Sequence, residues 1–433
     1  MRLAVAAGLL LALLAISLGG VLLLGGRGAG PTPSTTTQIM STTTTTTMST
    51  AGSGGEPQKA EGLVEALNMF SIEMYRLLYV EGEDPGNTVF SPFSIYSALL
   101  IAYEGMGGET REEAGEALRL PGDEVLEGYT ALLEHMLSTR GNASVRVANA
   151  LWADNMFPLN EDYVERVRSL YGAEARNLDF AGDPEGSRRL INSWVENMTN
   201  GRIKNLLPPG SITGKTVVVI TNAVHFKAPW LEPFTEVFRD KFLLENGGAV
   251  EAEMMSGKMW IQRYEDEDLL AVAIPYKGTN ITMVILMPKK GLSSYEEHLS
   301  WVGVKGVLEK LFSPENRAYV LLTMPKFKVS TPTITLREEL MDMGMKLAFT
   351  PQADFTPMSP AGRGVYIDNV YHKAYIEVNR WGTEAAAATA IVVLESLPPE
   401  VRIDRPFIFM LYDRSTGTIL FVGRLVNPAQ SSG

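Results

Sequence analysis

The sequence predicts an α+β fold, because segments with helical periodicity come mostly first and segments with strand character come mostly later. The two kinds of segment do not alternate strictly, which favours antiparallel or mixed sheets over a single parallel sheet. No internal repeat and no linker-like break interrupts residues 59–433. We therefore expect these residues to form one domain, although the length of the whole chain would allow about three.

Composition and charge exclude several classes of function. The chain of 433 residues has no cysteine and a net charge of −12. It therefore has no disulfide framework and no thiol nucleophile, and it lacks the basic surface of a nucleic-acid-binding protein. The common nucleotide and hydrolase signatures are absent, and the histidines lack metal-binding spacing. The four histidines are His135, His225, His298 and His372. The sequence thus predicts no metal, no cofactor and no enzymatic activity.

The first 26 residues form an apolar segment. From Leu3 to Gly26 the only polar side chain is Ser17. As a helix this run would span about 36 Å, which is enough to cross a bilayer. The run is longer than the apolar part of a secretory signal, so residues 1–26 are predicted to be an uncleaved signal anchor. A cleaved signal peptide and a buried helix of the globular part are the alternatives.

Residues 27–58 form a segment rich in threonine and serine. In the window 31–50 eleven residues are threonine and three are serine, and residues 28–55 carry no charge. Such a composition buries too little apolar surface to offset the entropy of ordering. We expect a flexible stalk, either O-glycosylated or unmodified. An anchor followed by a stalk predicts that residues 59–433 lie outside the cytoplasmic membrane, anchored or secreted.

The globular part begins with a helix and ends in strands. Apolar residues from Leu63 to Leu78 recur at intervals of three and four, which predicts an amphipathic helix. Ser94–Met106 and Ser187–Met198 also have helical character. Runs rich in β-branched and aromatic residues predict strands. These runs are Val145–Trp152, Thr216–Phe226, Leu269–Pro275, Thr282–Met287, Tyr319–Phe327, Tyr375–Val378, Thr389–Leu394, Pro406–Leu411 and Ile419–Leu425.

One segment near the end combines conflicting local preferences. Four consecutive alanines within residues 382–390 favour a helix, whereas Thr389–Leu394 favours a strand and two following prolines end any helix. Written as a strand, residues 383, 385, 387 and 389 share one face, and all four are small. This pattern indicates a small-residue hinge that could enter an existing sheet, followed by an exposed turn. A helix on the surface is the alternative.

Several motifs resemble those of the serpin family. Each is modest alone, but they occur in the family's order over about residues 59–428. The resemblance implies a serpin fold with three β-sheets, eight or nine helices and an exposed reactive-centre loop. The motifs are residues 87–95, 105–110, 192–203, 221–230, 324–328, 353–355, 372–374, 382–389, 405–407 and 423–428.

The resemblance also implies a mechanism. A serine protease attacks the loop and forms an acyl-enzyme, and the cut loop then inserts as a new strand of the large sheet and distorts the attached protease. The protein would be an irreversible suicide inhibitor and a monomer, with a serine protease as its covalent partner. A non-inhibitory binding or carrier protein on the same fold is the alternative.

A sulfated polysaccharide and a membrane are two further kinds of partner. Some family members are activated by sulfated polysaccharide through a basic helix. Here residues 130–146 offer only Arg140 and Arg146, so we expect no such activation. Contact with a membrane is expected only through the N-terminal segment.

Family motifs assign candidate roles to particular residues. The shutter, a hydrogen-bonded group beneath the opening sheet, corresponds to Ser91, Ser94, Asn222 and His372. The hinge, of which Thr383 would be the first residue to insert, corresponds to Gly382, Thr383, Glu384, Ala385, Ala386, Ala387, Ala388 and Thr389.

The breach, where insertion starts in the family, corresponds to Trp230, Lys326 and Arg380. Inhibitory members usually carry an acid at the position of Arg380, and it pairs with the lysine. Here two like charges would face each other, which is unfavourable. We expect either that Arg380 turns to another acid or that the breach is looser than usual.

Loop length predicts the reactive bond. Counting from the two ends of the loop places it at Glu395–Ser396 or at Ser396–Leu397, and a bond after Leu394 is a further alternative. No arginine or lysine lies nearby, and two valines precede Leu394. We therefore expect a subtilisin- or chymotrypsin-like target.

Overall fold

The computed structural model describes residues 56–80, 86–122, 125–138, 143–384 and 398–430. Within these ranges the chain forms nine α-helices together with mixed sheets, which confirms the predicted α+β class. Most helices precede the longer strands, as the periodicity predicted. The helices are α1 (Glu56–Tyr79), α2 (Pro92–Glu104), α3 (Gly108–Ala117), α4 (Val125–Leu137), α5 (Glu161–Tyr171), α6 (Pro184–Met198), α7 (Leu292–Glu296), α8 (Trp301–Leu311) and α9 (Arg337–Asp342).

The strands of the described residues join into two hydrogen-bonded sheets, one of nine strands and one of seven. They are β1 (Thr88–Phe90), β2 (Ser144–Asp154), β3 (Glu174–Leu178), β4 (Val218–Pro229), β5 (Glu236–Leu243), β6 (Ala249–Glu265), β7 (Leu269–Pro275), β8 (Ile281–Pro288), β9 (Arg317–Pro325), β10 (Phe327–Ser330), β11 (Ile334–Thr335), β12 (Ile367–Asn379), β13 (Gly382–Thr383), β14 (Glu400–Arg402), β15 (Phe407–Asp413) and β16 (Thr418–Leu425).

The long strand β6 explains why two networks occur where three sheets were expected. The nine-stranded sheet has the order β1-β16-β15-β8-β7-β6-β9-β14, with β5 on β6. The first part of β6 pairs with β5 and β9, whereas its last four residues pair with β7. One continuous strand of 17 residues therefore connects two of the three expected sheets.

The seven-stranded sheet positions the candidate site. Its order is β10-β12-β13-β4-β2-β3, with β11 on β12 and a direct pairing of β12 with β4. Its inner face packs in the main core against α2 and against β1 of the nine-stranded sheet. Its outer face packs against α6 through a second core that contains Trp152, Phe180, Ile191 and Val195. The inner face is thus buried and apolar, whereas the outer face is apolar beside α6 and carries partly exposed side chains such as Lys373 and Glu377 along β12.

The predicted elements that fall in the described ranges are present, with two differences in the strands. The predicted strand Tyr319–Phe327 is divided at Lys326, because β9 pairs with β6 and β10 pairs with β12 of the other sheet. The predicted strand Tyr375–Val378 is the end of the longer strand β12. The predicted strand Thr389–Leu394 lies outside the described residues.

The N-terminal predictions concern residues that the structure does not describe. Residues 1–26 and almost all of 27–58 are outside the described ranges, and α1 begins at Glu56, three residues before the predicted start of the domain. Among the helices of the described ranges, none has the length and apolar character needed to cross a membrane.

Candidate functional site

The candidate site lies where β4 and β12 meet in the middle of the seven-stranded sheet. Over residues 367–374 of β12 the two strands pair directly and in parallel, with His372 opposite Asn222. Towards the C-terminal ends of both strands β13 lies between them, and Thr383 pairs with both. The sheet is therefore closed over one part of its length and holds the first two hinge residues at the other.

His372 ties β12 to β4 from the inner face. Its Nε2 accepts a hydrogen bond from the backbone N–H of Ser91 at 3.2 Å, and its Nδ1 faces Oδ1 of Asn222. Because Nε2 is an acceptor, the neutral ring carries its proton on Nδ1 and donates it to Asn222. Burial lowers the pKa of His372 to about 3, which keeps the ring neutral near pH 7.

Asn222 extends this network to α2. Its Nδ2 donates to the backbone oxygen of Ser94 at 2.6 Å and also contacts the Ser94 hydroxyl. Ser91 is the N-cap of α2, and its hydroxyl accepts from the N–H of Ser94 and donates to the backbone oxygen of Leu420 at 2.6 Å. The structure thus brings the four residues of the predicted shutter, Ser91, Ser94, Asn222 and His372, into one buried network.

Asn149 is a further member of this network, and no sequence motif predicted it. Its Oδ1 accepts from Asn222 Nδ2 and from the Ser94 hydroxyl, because β2 places Asn149 opposite Asn222 on β4. The sequence offered one signal for Asn149, which is an amide side chain within the run Val145–Trp152. The structure buries this side chain. Its partner depends on strand register, which the run alone does not specify.

Trp230 fixes the end of β4 to the turn between β12 and β13. Its indole N–H donates to the backbone oxygen of Asn379 at 2.9 Å, and its backbone N–H donates to the backbone oxygen of Trp381 at 2.9 Å. The ring stacks on Tyr276 with centroids 4.4 Å apart. The predicted breach residue is therefore a buried aromatic anchor of this turn.

Arg380 and Lys326 do not form the like-charged pair that the sequence suggested. The guanidinium of Arg380 donates to the backbone oxygens of Phe234 at 3.3 Å and Thr235 at 2.6 Å. Lys326 instead pairs with Glu253 at 3.0 Å. Each cation has a separate partner, and Arg380 turns to backbone carbonyls rather than to an acid.

The first two hinge residues occupy a tight site. Gly382 has a φ of +147°, and a Cβ there would lie 2.2 Å from the backbone oxygen of Ala228. Only glycine fits this conformation and this close approach. Thr383 is fully buried, and its hydroxyl lies 2.7 Å from that of Tyr276. A large or charged side chain at Thr383 has no room here.

Glu384 turns towards the outer face of the sheet. Its φ is +52°, and its side chain is only 2% exposed. One carboxylate oxygen lies 2.8 Å from Nε2 of His225 and 3.1 Å from Nε of Arg202. The hinge motif located Glu384, whereas its two partners lie within family motifs that give them no such role and are distant in the chain.

The rest of the reactive loop lies outside the described residues. The description resumes at Pro398, and β14 then pairs in parallel with β9 of the nine-stranded sheet. The two ends of the loop therefore belong to different sheets. The residues not described include the hinge segment Ala385–Thr389 and all candidates for the reactive bond, Leu394, Glu395, Ser396 and Leu397.

Comparison with known proteins identifies the class. The family model of the serpins, the serine protease inhibitors, matches residues 65–428. An uncharacterised serpin-like protein of Thermococcus kodakarensis is 39% identical over 378 residues, which cover 84% of this chain and 86% of that protein. The chain therefore belongs to the serpin family, whose members are generally protease inhibitors.

Solved structures share the fold. Human thyroxine-binding globulin superposes with a TM-score of 0.77 at 28% identity, over 86% of this chain and 99% of that chain. Serpin48, a highly specific serpin of the insect Tenebrio molitor, superposes with a TM-score of 0.74 at 30% identity, over 84% and 98%. Because one of these proteins is named for binding thyroxine, the fold alone does not distinguish inhibition from ligand carriage.

Acid should destabilise the protein through His372. The imidazole has a pKa near 6.5 in an unfolded chain and about 3 in the fold. Between these values the unfolded state binds more protons, so stability falls as the pH decreases, by up to about 1.4 kcal/mol per pH unit from this residue. His372→Gln should flatten the pH dependence of the urea unfolding midpoint between about pH 6 and 4, whereas substitution of the exposed His298 should not. An unchanged slope in His372→Gln would contradict a neutral buried ring.

Arg380 should contribute more to stability than Lys326. Arg380→Ala removes two charged hydrogen bonds to backbone carbonyls, which should cost about 1–2 kcal/mol. Lys326→Ala removes an exposed ion pair, which should cost less than about 1 kcal/mol. Thermal unfolding of both variants measures the difference. The reverse order would mean that the breach depends on the lysine.

Proposed function

We propose that this protein is an irreversible suicide inhibitor of a serine protease outside the cytoplasmic membrane. The protease would cleave the loop between β13 and β14, and the cut loop would insert between β4 and β12. The position of Gly382 and Thr383 carries the proposal, because they already pair with both strands at the end of the contact that must open. The loop therefore needs only to continue along an existing path.

The target protease supplies the chemistry. Its serine attacks the scissile carbonyl, an ester forms, and the new amino terminus of the loop departs. Thr383 to Glu395 are 13 residues, which in a strand would carry the attached protease about 43 Å at ~3.3 Å per residue. Displacing the oxyanion-hole donors of the protease would slow deacylation by factors of about 10²–10³. The acyl-enzyme would then persist.

The uncut fold would hold the energy for insertion. An inserted loop would form ladders with β4 and β12 at once, whereas in the uncut chain the facing edges of these two strands share a single ladder over residues 367–374 of β12. The uncut loop is joined at its far end to β14, which pairs with β9. Because this tether opposes insertion, we propose that the native state is stable kinetically rather than thermodynamically.

The shutter and the breach would control the opening. Insertion requires His372 to part from Asn222, and its entry point is the turn that Trp230 and Arg380 hold. These contacts keep the sheet closed until cleavage frees the loop. We propose these roles because each side chain lies on the path between Thr383 and the closed part of the sheet.

Target and location are proposed from the sequence. The absence of arginine and lysine near residues 394–397 and the two valines before Leu394 support a subtilisin- or chymotrypsin-like protease. The apolar residues 3–26 and the stalk after them support a place outside the cytoplasmic membrane, either anchored or secreted. We propose that the protein acts as a monomer.

Thr383→Arg should convert the inhibitor into a substrate. The charged side chain has no room in the buried site beside Tyr276, so β13 should not form and the cut loop should lose its starting point for insertion. The parent chain should form an SDS-stable complex with chymotrypsin or subtilisin, whereas Thr383→Arg should be cleaved at the same bond without a complex. Thr383→Ser keeps the hydroxyl and should still form the complex. Mass spectrometry of the released fragment identifies the scissile bond.

A different result would favour a non-inhibitory binding or carrier protein. That alternative predicts clean cleavage of the parent chain by a broad panel of serine proteases, without a complex. It also predicts that cleavage of the loop leaves the melting temperature unchanged. Both results together would contradict inhibition by insertion.

A further inference from the structure

Strand β3 forms one edge of the seven-stranded sheet. Among the described residues it pairs only with β2, in parallel, over Glu174–Leu178. The backbone oxygen of Leu178 accepts from the N–H of Asn155, which follows β2, so the backbone groups of Leu178 point towards β2. Because these groups alternate in direction along a strand, those of Ala175 and Asn177 point away from β2. In the part of the chain that the structure describes, they have no backbone partner.

A groove runs along this free edge. It has a volume of about 820 Å³ and lies between β3 and α5. Its walls include residues 174–177 of β3 and the partly buried apolar side chains of Leu159 and Val164. An unpaired strand edge beside an open groove can accept another extended segment, which then joins the sheet as a strand.

The side chains of β3 indicate which segment fits. Glu174 and Arg176 lie on the same face of the strand, with Ala175 between them on the other face. Arg176 is exposed and Glu174 is half-buried, and neither has an ion-pair partner among the described residues. Charges of one sign would repel a second copy of the strand. This edge instead carries one charge of each sign, so it can be complementary to itself.

We propose that β3 is the interface of a symmetric dimer, in which it pairs antiparallel with β3 of a second copy of this chain. A two-fold axis at Ala175 places Glu174 of each copy opposite Arg176 of the other copy, so two ion pairs form across one ladder. Moving the axis to Glu174 or to Arg176 would place two like charges opposite each other. The charges therefore select the register that is centred on Ala175.

The backbone supports the same register. The outward N–H and C=O groups of Ala175 meet those of the second Ala175 and form a hydrogen-bonded pair. Glu174 and Arg176 then occupy non-hydrogen-bonded positions, where opposing Cα atoms are only about 4.5 Å apart and side chains lie closest. A two-fold pair uses both free edges, so association stops at two copies. The ladder is short, so the dimer should dissociate on dilution.

The interface is separate from the path proposed for the reactive loop. Strand β2 lies between β3 and β4, so the pairing does not include the contact between β4 and β12. Each chain therefore remains a complete inhibitory unit within the dimer. A failure of self-association would leave the proposed inhibition untouched, and a failure of inhibition would leave the dimer untouched.

Sedimentation velocity with charge-reversed variants tests the register. The full-length parent chain, solubilised in detergent, should change reversibly from monomer to dimer over about 1–300 µM. Glu174→Arg and Arg176→Glu each place like charges opposite each other, and each should weaken self-association by about tenfold or more. An equal mixture of the two variants should pair like the parent, because two cations then face two anions. Glu73→Arg, which alters the exposed acid beside Arg119, is the matched control and should behave like the parent.

Hydrogen exchange tests whether the strands pair. In the parent, the amides of Ala175 and Asn177 should exchange more slowly at high than at low protein concentration, whereas Glu174→Arg should show no such difference. A parent that stays monomeric, or reversals that weaken association no more than Glu73→Arg does, would overturn the interface. A mixture of the two reversals that stays monomeric would overturn the register. A dimer without slower exchange at Ala175 and Asn177 would overturn the strand pairing.

Discussion

The direct parallel pairing of β4 with β12 is the constraint on which the rest of the structure depends. No tight turn joins the two strands, and their contact lies in the middle of a sheet whose inner face is buried in the main core. Its closure therefore rests on the backbone ladder and on the hydrogen bond from His372 to Asn222. Because burial keeps the imidazole neutral, Nε2 accepts from Ser91 while Nδ1 donates across the strands. A protonated ring would place a second donor against the Ser91 N–H.

The C-terminal ends of the same two strands receive the hinge. Gly382 fits there because it has no Cβ, and Thr383 is buried against Tyr276. Arg380 adds two hydrogen bonds to the carbonyls after β4, which explains how a cation is accommodated where the family usually has an acid. The hinge therefore belongs to the seven-stranded sheet, while the other end of the loop belongs to the nine-stranded sheet. Because the two ends of the uncut loop are tied to different sheets, we propose that the loop can enter the seven-stranded sheet along its length only after it is cut.

Much of the fold followed from local patterns, and the remainder needed long-range contacts. Continuous apolar runs such as Leu269–Pro275 were found because both faces of those strands are buried. Strand β5 was missed because nearly all of its residues are exposed, so neither face carries an apolar pattern. In the site, family motifs located His372 and Thr383. Asn149 and the partners of Glu384 depend on strand register and on a left-handed turn, which no local pattern encodes.

The central claim is that β4 and β12 must separate for the protein to act, and a cross-link between them tests it most directly. The chain has no cysteine, so an engineered pair would have no competing thiols. Ala223 and Lys373 are register partners on these strands, at a spacing that a disulfide can bridge. We predict that Ala223→Cys/Lys373→Cys, when oxidised, is cleaved by chymotrypsin or subtilisin without forming an SDS-stable complex, and that the reduced form gives the complex. An SDS-stable complex formed equally well by the oxidised protein would contradict this account.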